Sequence, residues 1–286
     1  MIHKQTDFVH NREWDILFVL DACRIDKLKD LYKDYLPGYF CEVQSPATFT
    51  LGWLIDTFYN KPKTNAVFVS SDYEVNSSGF NLDTEIHDKK KREKYGHIKF
   101  DYREYFNEIV DVWKHIDEKL GLVHPKTICD EVINQVKKGN RVIAKFWQVH
   151  DPYIYHLRNE NNKVINYEDT ERRNSVVYKG SNLKRYLSYF FADITIWRIK
   201  KLLGRKEESG LYSIWCKYGH KGIVKGYEED LKLVLSEIKR VHEKFPDKKM
   251  VITTDHSEYL GERGMYGHSV NSPELLGVPW LEITNE

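Results

Sequence analysis

Cysteine is scarce. Four cysteines (Cys23, Cys41, Cys129, Cys216) are scattered through 286 residues with no Cys-x-x-Cys pair, which excludes a disulfide scaffold and a cysteine-rich zinc module. They read as free thiols in a reducing compartment. An excess of charge of either sign is also lacking, with 44 Lys and Arg against 43 Asp and Glu. No global basic field attracts nucleic acid and no acidic field solvates a tail, so no nucleic-acid partner is expected. The N-terminal stretch Met1–His10 has no apolar run of signal-peptide length. No segment approaches the roughly 20 apolar residues a membrane helix needs. The expectation is a soluble, cytoplasmic protein without a membrane span. Internal repeats and low-complexity tracts are missing as well.

What is present suffices for a large core. The chain is 41% apolar and 14% aromatic, more than a disordered chain carries, and 286 residues accommodate one large α/β domain or two ordinary ones. The run Asp15-Ile-Leu-Phe-Val-Leu-Asp21 reads as a buried parallel strand ending in a carboxylate. Asn65–Ser71, Arg141–Gln148 and Met250–Asp255 read as further strands. Helical spacing runs over Arg24–Tyr35, Leu51–Tyr59, Phe106–Leu120, Thr127–Lys138 and Tyr227–Phe245. Charged Asn81–His97 reads as a surface loop. Alternating strands and helices predict one α/β domain over 1–286, its mainly parallel central sheet covered by helices on both faces. Within it, 157–222 holds basic and aromatic clusters. It reads as an inserted helical segment, either an ordinary solvated subdomain or a lid for an anionic or lipid-like substrate.

In open α/β sheets, ligands bind beyond the carboxyl ends of the strands. That rule places Asp21, His150 and Asp255-His256 on one sheet edge although they are far apart in the chain. Their oxygens and imidazole nitrogens suit zinc, manganese or a similar divalent ion. Asp255-His256 is the most telling pair, because neither residue suits burial after Val251-Ile252 unless paired or metal-bound. Thr48 and Thr50 open a helix, where free N–H groups and the macrodipole favour an anion. A threonine oxygen held by a metal there loses its proton more easily and can attack phosphorus or sulfur. The plainer reading of Thr48 is a helix cap.

The C-terminal run Thr253-Thr254-Asp255-His256-Ser257-Glu258-Tyr259-Leu260-Gly261-Glu262, with His268 and the later Gly277-Val278-Pro279-Trp280-Leu281, resembles the signature of the alkaline phosphatase/sulfatase superfamily. Val19-Leu20-Asp21-Ala22-Cys23-Arg24 looks like its first metal-binding strand, and His150-Asp151-Pro152-Tyr153 is similar to its His-x-Pro-Tyr/Phe segment. The arrangement is most like sulfatase-like archaeal proteins of unassigned substrate, and more distantly like lipoteichoic acid synthases and phosphoethanolamine transferases. The resemblance implies an alkaline-phosphatase-like fold from Asp15 to Ile283. It implies that Asp21, Asp255 and His256 bind a metal that also holds the threonine nucleophile. His150 and His268 would bind oxygens of the transferred group or a second metal, and a histidine would protonate the leaving group. One or two divalent ions per chain are implied, zinc or manganese first, with magnesium or calcium compatible. The superfamily's Asp-x-x-x-His pair for a second metal is not evident: after His150-Asp151 the next histidine, His156, is one residue out of step, which favours one ion.

Sulfatases of this superfamily need Cys-x-Pro-x-Arg or its serine form, oxidised to formylglycine. Here Cys41 precedes Glu42-Val43-Gln44, and Ser45-Pro46-Ala47-Thr48 has its proline one place early and no arginine. A threonine nucleophile points instead to phosphoryl chemistry. Spacing to Trp53, Leu54 and Phe58 fits Thr48 better than Thr50, with Ser45 third. Arg24 is read as a partner for substrate phosphate or as one half of a surface salt bridge. Glu258 and Glu262 are expected to fix their loop by hydrogen bonds, and Asp26 to be a helix residue. The expected function is metal-dependent hydrolysis or transfer of a phosphoester, preferably a diester, on a small-molecule, lipid or glycan substrate. The alternatives are a non-catalytic binding protein that keeps the fold, and a sulfatase-like hydrolase using an unmodified threonine.

Overall fold

Short runs of consecutive apolar residues have no polar side to turn to water, so they settle as strands covered on both faces. The computed structural model describes residues 3–79, 93–159, 192–204, 210–268 and 272–285. In it the strands β2 (Ile16–Leu20), β4 (Ala66–Ser70) and β7 (Met250–Thr254) are buried at every residue, and β6 (Arg141–Lys145) at all but its first. With β1 (His3–Lys4), β3 (Gly38–Gln44), β5 (Glu108–Asp111) and β10 (Gly277–Ile283) they form one sheet in the order β1-β3-β10-β7-β2-β6-β4-β5. Every pairing is parallel except those of β10, which runs antiparallel to both β3 and β7. The mixed, mainly parallel α/β sheet is thus the expected one. A separate two-stranded ribbon joins β8 (Tyr259–Leu260) to β9 (Tyr266–Gly267).

The pleat sends alternate residues of β2 into two different cores. Ile16, Phe18 and Leu20 pack with apolar residues of α2 (Ile25–Leu31), α4 (Pro125–Lys137) and α7 (Leu211–Lys244). Leu17 and Val19 pack on the other face with α1 (Gln5–Asn11) and α3 (Thr50–Phe58). The long helix α7 is kinked at Gly219, whose φ of 65° is the left-handed conformation that glycine adopts without a Cβ penalty.

Two expectations need correction. Phe106–Leu120 is not a helix: it forms β5, a 3-10 turn at Val112–Lys114 and a bridge between Asp117 and Leu122. Pairing with the exposed edge of β4 and division of its apolar residues between the two cores, Phe106 to one and Val112 to the other, override the local spacing. Gly38–Gln44, to which the sequence reading assigns no element, is the strand β3. Of the expected insertion 157–222, residues 160–191 and 205–209 lie outside the described residues, as do 81–92 of the expected surface loop. The helices described within or overlapping that range are α5 (Ile154–Asn159), α6 (Asp193–Leu202) and the start of α7. Among the described residues, no helix is long and apolar enough to cross a membrane.

Candidate functional site

β2 and β7 are parallel neighbours with Leu20 opposite Thr254, so the residues that follow, Asp21 and Asp255, emerge side by side at the carboxyl edge. The chain turns away at once after Asp21, with Ala22 at a φ of 55°. The two oxygens of Asp255 have separate tasks. Oδ1 accepts the backbone N–H of His256 at 3.0 Å and that of Ala22 at 3.4 Å. Oδ2 faces the site, where it accepts the Thr50 hydroxyl at 2.7 Å. His256 Nε2 lies 3.6 Å from Asp21 Oδ1 and 3.6 Å from Asp255 Oδ2. All three side chains are buried, and one donor atom from each lies within 4.8 Å of the others.

This donor set fits a divalent ion on chemical grounds. The carbonyl of Ser257 lies 3.1 Å from His256 Nδ1 and can take its N–H, which keeps Nε2 available as a ligand beside two carboxylate oxygens. Two carboxylates buried side by side favour positive charge among them, and the single ammonium of Lys145, 2.8 Å from Asp21 Oδ2 and 3.1 Å from Asp255 Oδ2, offsets only one of the two negative charges. Tetrahedral ligands at bond lengths of about 2.0–2.2 Å stand about 3.3–3.6 Å apart, and the two His256 separations of 3.6 Å match that edge. The same surroundings set the charge state of Asp255. Burial alone would raise its pKa, but His256, the Lys145 ammonium and the Thr50 hydrogen bond hold it below the usual carboxylate range.

Thr50 is the first residue of α3, so its hydroxyl sits beside the free N–H groups of that helix end. Ser45, at the end of β3, donates its hydroxyl to the Asp255 carbonyl. Thr48 is buried, and its own carbonyl lies 3.2 Å from His268 Nδ1. The structure therefore aims the Thr50 hydroxyl at Asp255.

Sequence reading overlooked two charged residues in this cluster. Lys145, the last residue of β6, is fully buried, with Nζ 2.8 Å from Asp21 Oδ2 and 3.1 Å from Asp255 Oδ2. Burial opposes its charge, but Asp21, Asp255 and Asp72 hold it above the ordinary lysine range. Asp72 follows β4, is 2% exposed, and receives the N–H of Glu74 on Oδ1 at 2.9 Å. Burial pushes it up to about 6, against the pull of Lys145. Both had a signal: a lysine inside the apolar run Val142–Phe146, and a carboxylate just past the second predicted strand.

The imidazoles form a second tier. His150 Nε2 lies 3.1 Å from His268 Nε2, and the ring of His268 is 4.2 Å from that of His256. The carbonyl of Asp151 is 2.8 Å from His150 Nδ1. Burial works against the charge of His150, yet the carboxylates of Asp151, Asp21 and Glu258 raise it to about 9. Glu258 is 1% exposed, and neither of its oxygens has a hydrogen-bond partner among the described residues. Burial and the neighbouring carboxylates push it up to about 8. Glu262 does fix its loop, accepting the N–H of Leu260 and pairing with Arg24 at 2.7 Å. Arg24 also pairs with Asp26, in the first turn of α2, at 2.8 Å, so its guanidinium is held by two carboxylates. His156 is away from this cluster, with Nε2 2.9 Å from the carbonyl of Gly222 and its ring stacked on Tyr218.

Comparison with protein-family models and with curated proteins yields no match. Solved structures do match. The chain is similar to the integral membrane protein lipooligosaccharide phosphoethanolamine transferase A from Neisseria meningitidis, with a TM-score of 0.51 and 14% identity over 94% of this chain and 47% of that one. It is also similar to the C-terminal periplasmic domain of phosphoethanolamine transferase EptC from Campylobacter jejuni, with a TM-score of 0.50 and 12% identity over 95% and 78% of the two chains. The chain spans about half the length of the first of these, 47%. Both are alkaline phosphatase/sulfatase-like superfamily members. At such identities the likeness is one of fold, and the fold is alkaline-phosphatase-like α/β.

Proposed function

We propose that the chain is a metal-dependent phosphoester hydrolase or phosphoryl-group transferase. In this reading Asp21, Asp255 and His256 hold a divalent ion, zinc or manganese by donor type, and Thr50 is the nucleophile. The observation that carries it is the Thr50 hydroxyl, 2.7 Å from the carboxylate oxygen that also faces His256 Nε2. When bound, the ion lowers the pKa of the hydroxyl and stabilises charge on the phosphoryl oxygens. Thr50 attacks phosphorus from the helix N-terminus, where backbone N–H groups favour an anion. Once the Thr50 hydroxyl has lost its proton to water, the Thr50 Oγ1–P bond forms, the bond from phosphorus to the leaving oxygen breaks, and the His150–His268 pair supplies the proton that the leaving oxygen takes up. Water or an acceptor hydroxyl then releases the phosphoryl group and restores Thr50, which is the difference between hydrolysis and transfer.

The likeness of fold to two phosphoethanolamine transferases supports phosphoryl chemistry. So does the place of Cys41, inside β3 opposite Trp280. A phosphodiester, small or carried on a lipid or glycan, suits a single ion. The chain should turn over a chromogenic phosphodiester such as bis(p-nitrophenyl) phosphate. That activity should disappear with a chelator, return with zinc or manganese, and be absent from D255A together with the bound ion. An ion bound by the wild type without turnover of any phosphoester would favour a binding protein. Turnover and bound ion both intact in D255A would contradict the assignment.

A further inference from the structure

A lysine at the end of a strand whose residues Val142, Ile143 and Ala144 are all core is costly to bury unless every N–H finds a partner. Lys145 meets that condition. Its ammonium donates to Asp21 Oδ2 at 2.8 Å and to the Phe146 carbonyl at 3.3 Å, and lies 3.1 Å from Asp255 Oδ2. The two carboxylates it joins are those read above as ligands. Asp21 divides its oxygens, with Oδ2 toward the ammonium and Oδ1 toward His256. Asp255 Oδ2 faces both. With a neutral His256, the two carboxylates and the ammonium sum to one negative charge. Without the ammonium, two buried carboxylates would stand with no cation between them.

We propose that Lys145 is the resident counter-cation of this site. It keeps Asp21 and Asp255 paired while no divalent ion is bound, and by sharing their charge it weakens the hold on such an ion. The inference rests on the metal reading above and deepens it: this chain folds without its ion, and ion binding is readily reversible.

The test compares the full chain with K145M, both stripped with a chelator. Thermal denaturation is recorded without metal and with manganese or zinc chloride, and ion affinity is measured by calorimetry. Without metal, K145M should melt roughly 10 °C below the wild type, the size expected when one member of a buried ion cluster is removed. The added ion should close most of that gap, and K145M should bind it at least about tenfold more tightly, because an ammonium a few ångströms away no longer repels it. Equal melting temperatures without metal, or equal or weaker ion binding by K145M, would overturn the proposal while leaving the metal reading intact. If neither chain binds an ion, the metal reading falls, and the metal-free comparison alone decides whether Lys145 pairs the carboxylates. Should K145M not fold under either condition, the double variant K145M/D21N decides. Recovery of a folded protein supports the pairing, and failure like that of the single variant contradicts it.

Discussion

Asp255 shows how one side chain is shared among structural and chemical tasks. One oxygen fastens the turn by accepting backbone N–H groups, and the other meets Thr50, Lys145 and His256. This makes the choice of nucleophile testable. T50A should lower turnover of the phosphodiester by about 10,000-fold or more, the scale for losing a nucleophile, and no phosphothreonine should be trapped at position 50. T48A should keep most of the activity. A reversed result would move the nucleophile to Thr48. His150 sets a pH dependence. Its ordinary pKa of 6.5 is raised to about 9 in the folded state, so its contribution to stability is complete below about pH 6.5 and is lost as pH rises toward 9. Melting temperatures of metal-free protein should fall over that interval, and H150N should flatten the fall. A slope unchanged in H150N would assign it to another group. Asp21, Asp255 and His256 were legible because a charged residue after an uninterrupted apolar strand has few other reasons to be there. Lys145 and Asp72 obey the same logic. Lysine was passed over because its long stem usually carries the charge out to water, whereas here 0% of the residue is exposed.

At the scale of elements, the distance between Thr50 and Asp255 depends on how α3 lies against β7. Gln5 of α1 sets that relation. Its amide donates to Thr253 Oγ1 and to the Thr254 carbonyl, both at 2.7 Å, and its oxygen accepts the indole N–H of Trp53 in α3 at 2.9 Å. The residue is fully buried. Q5L should therefore cost about 2–3 kcal/mol in chemical denaturation, because it strands polar groups in the core. It should also lower the rate of turnover more than it lowers ion affinity, since Asp21, Asp255 and His256 stay in place while Thr50 shifts. Equal losses in both would mean that Gln5 only supports the fold. On the histidine side, Asp230 of α7 accepts the N–H groups of Ile154 at 2.8 Å and Tyr155 at 2.9 Å, and so pins the segment that follows His150. None of these ties shows in the chain itself, because a buried glutamine and a surface one have the same letter. The strands misread from the sequence failed for a related reason. β3 and β5 lie toward the margins of the sheet, where pairing with a neighbour rather than local pattern decides the conformation.

For the molecule as a whole, the parallel central strands are what bring distant residues together. Because β4, β6, β2 and β7 all run the same way, Asp72, Lys145, Asp21 and Asp255 meet at one edge although more than half the chain separates the first from the last. The alternation of strands and helices, and hence this edge, was readable from apolar runs alone. The antiparallel insertion of β10 between β3 and β7 was not, since it depends on how the end of the chain returns to the sheet. The central claim is that this edge holds one divalent ion next to the Thr50 hydroxyl. An anomalous-scattering map from crystals soaked in manganese tests it most directly. The account predicts a single peak at about 2.0–2.2 Å from Asp21, Asp255 and His256, with Thr50 Oγ1 turned toward it and Lys145 still against Asp21. No peak among those three side chains, or a peak from which Thr50 turns away, would contradict it.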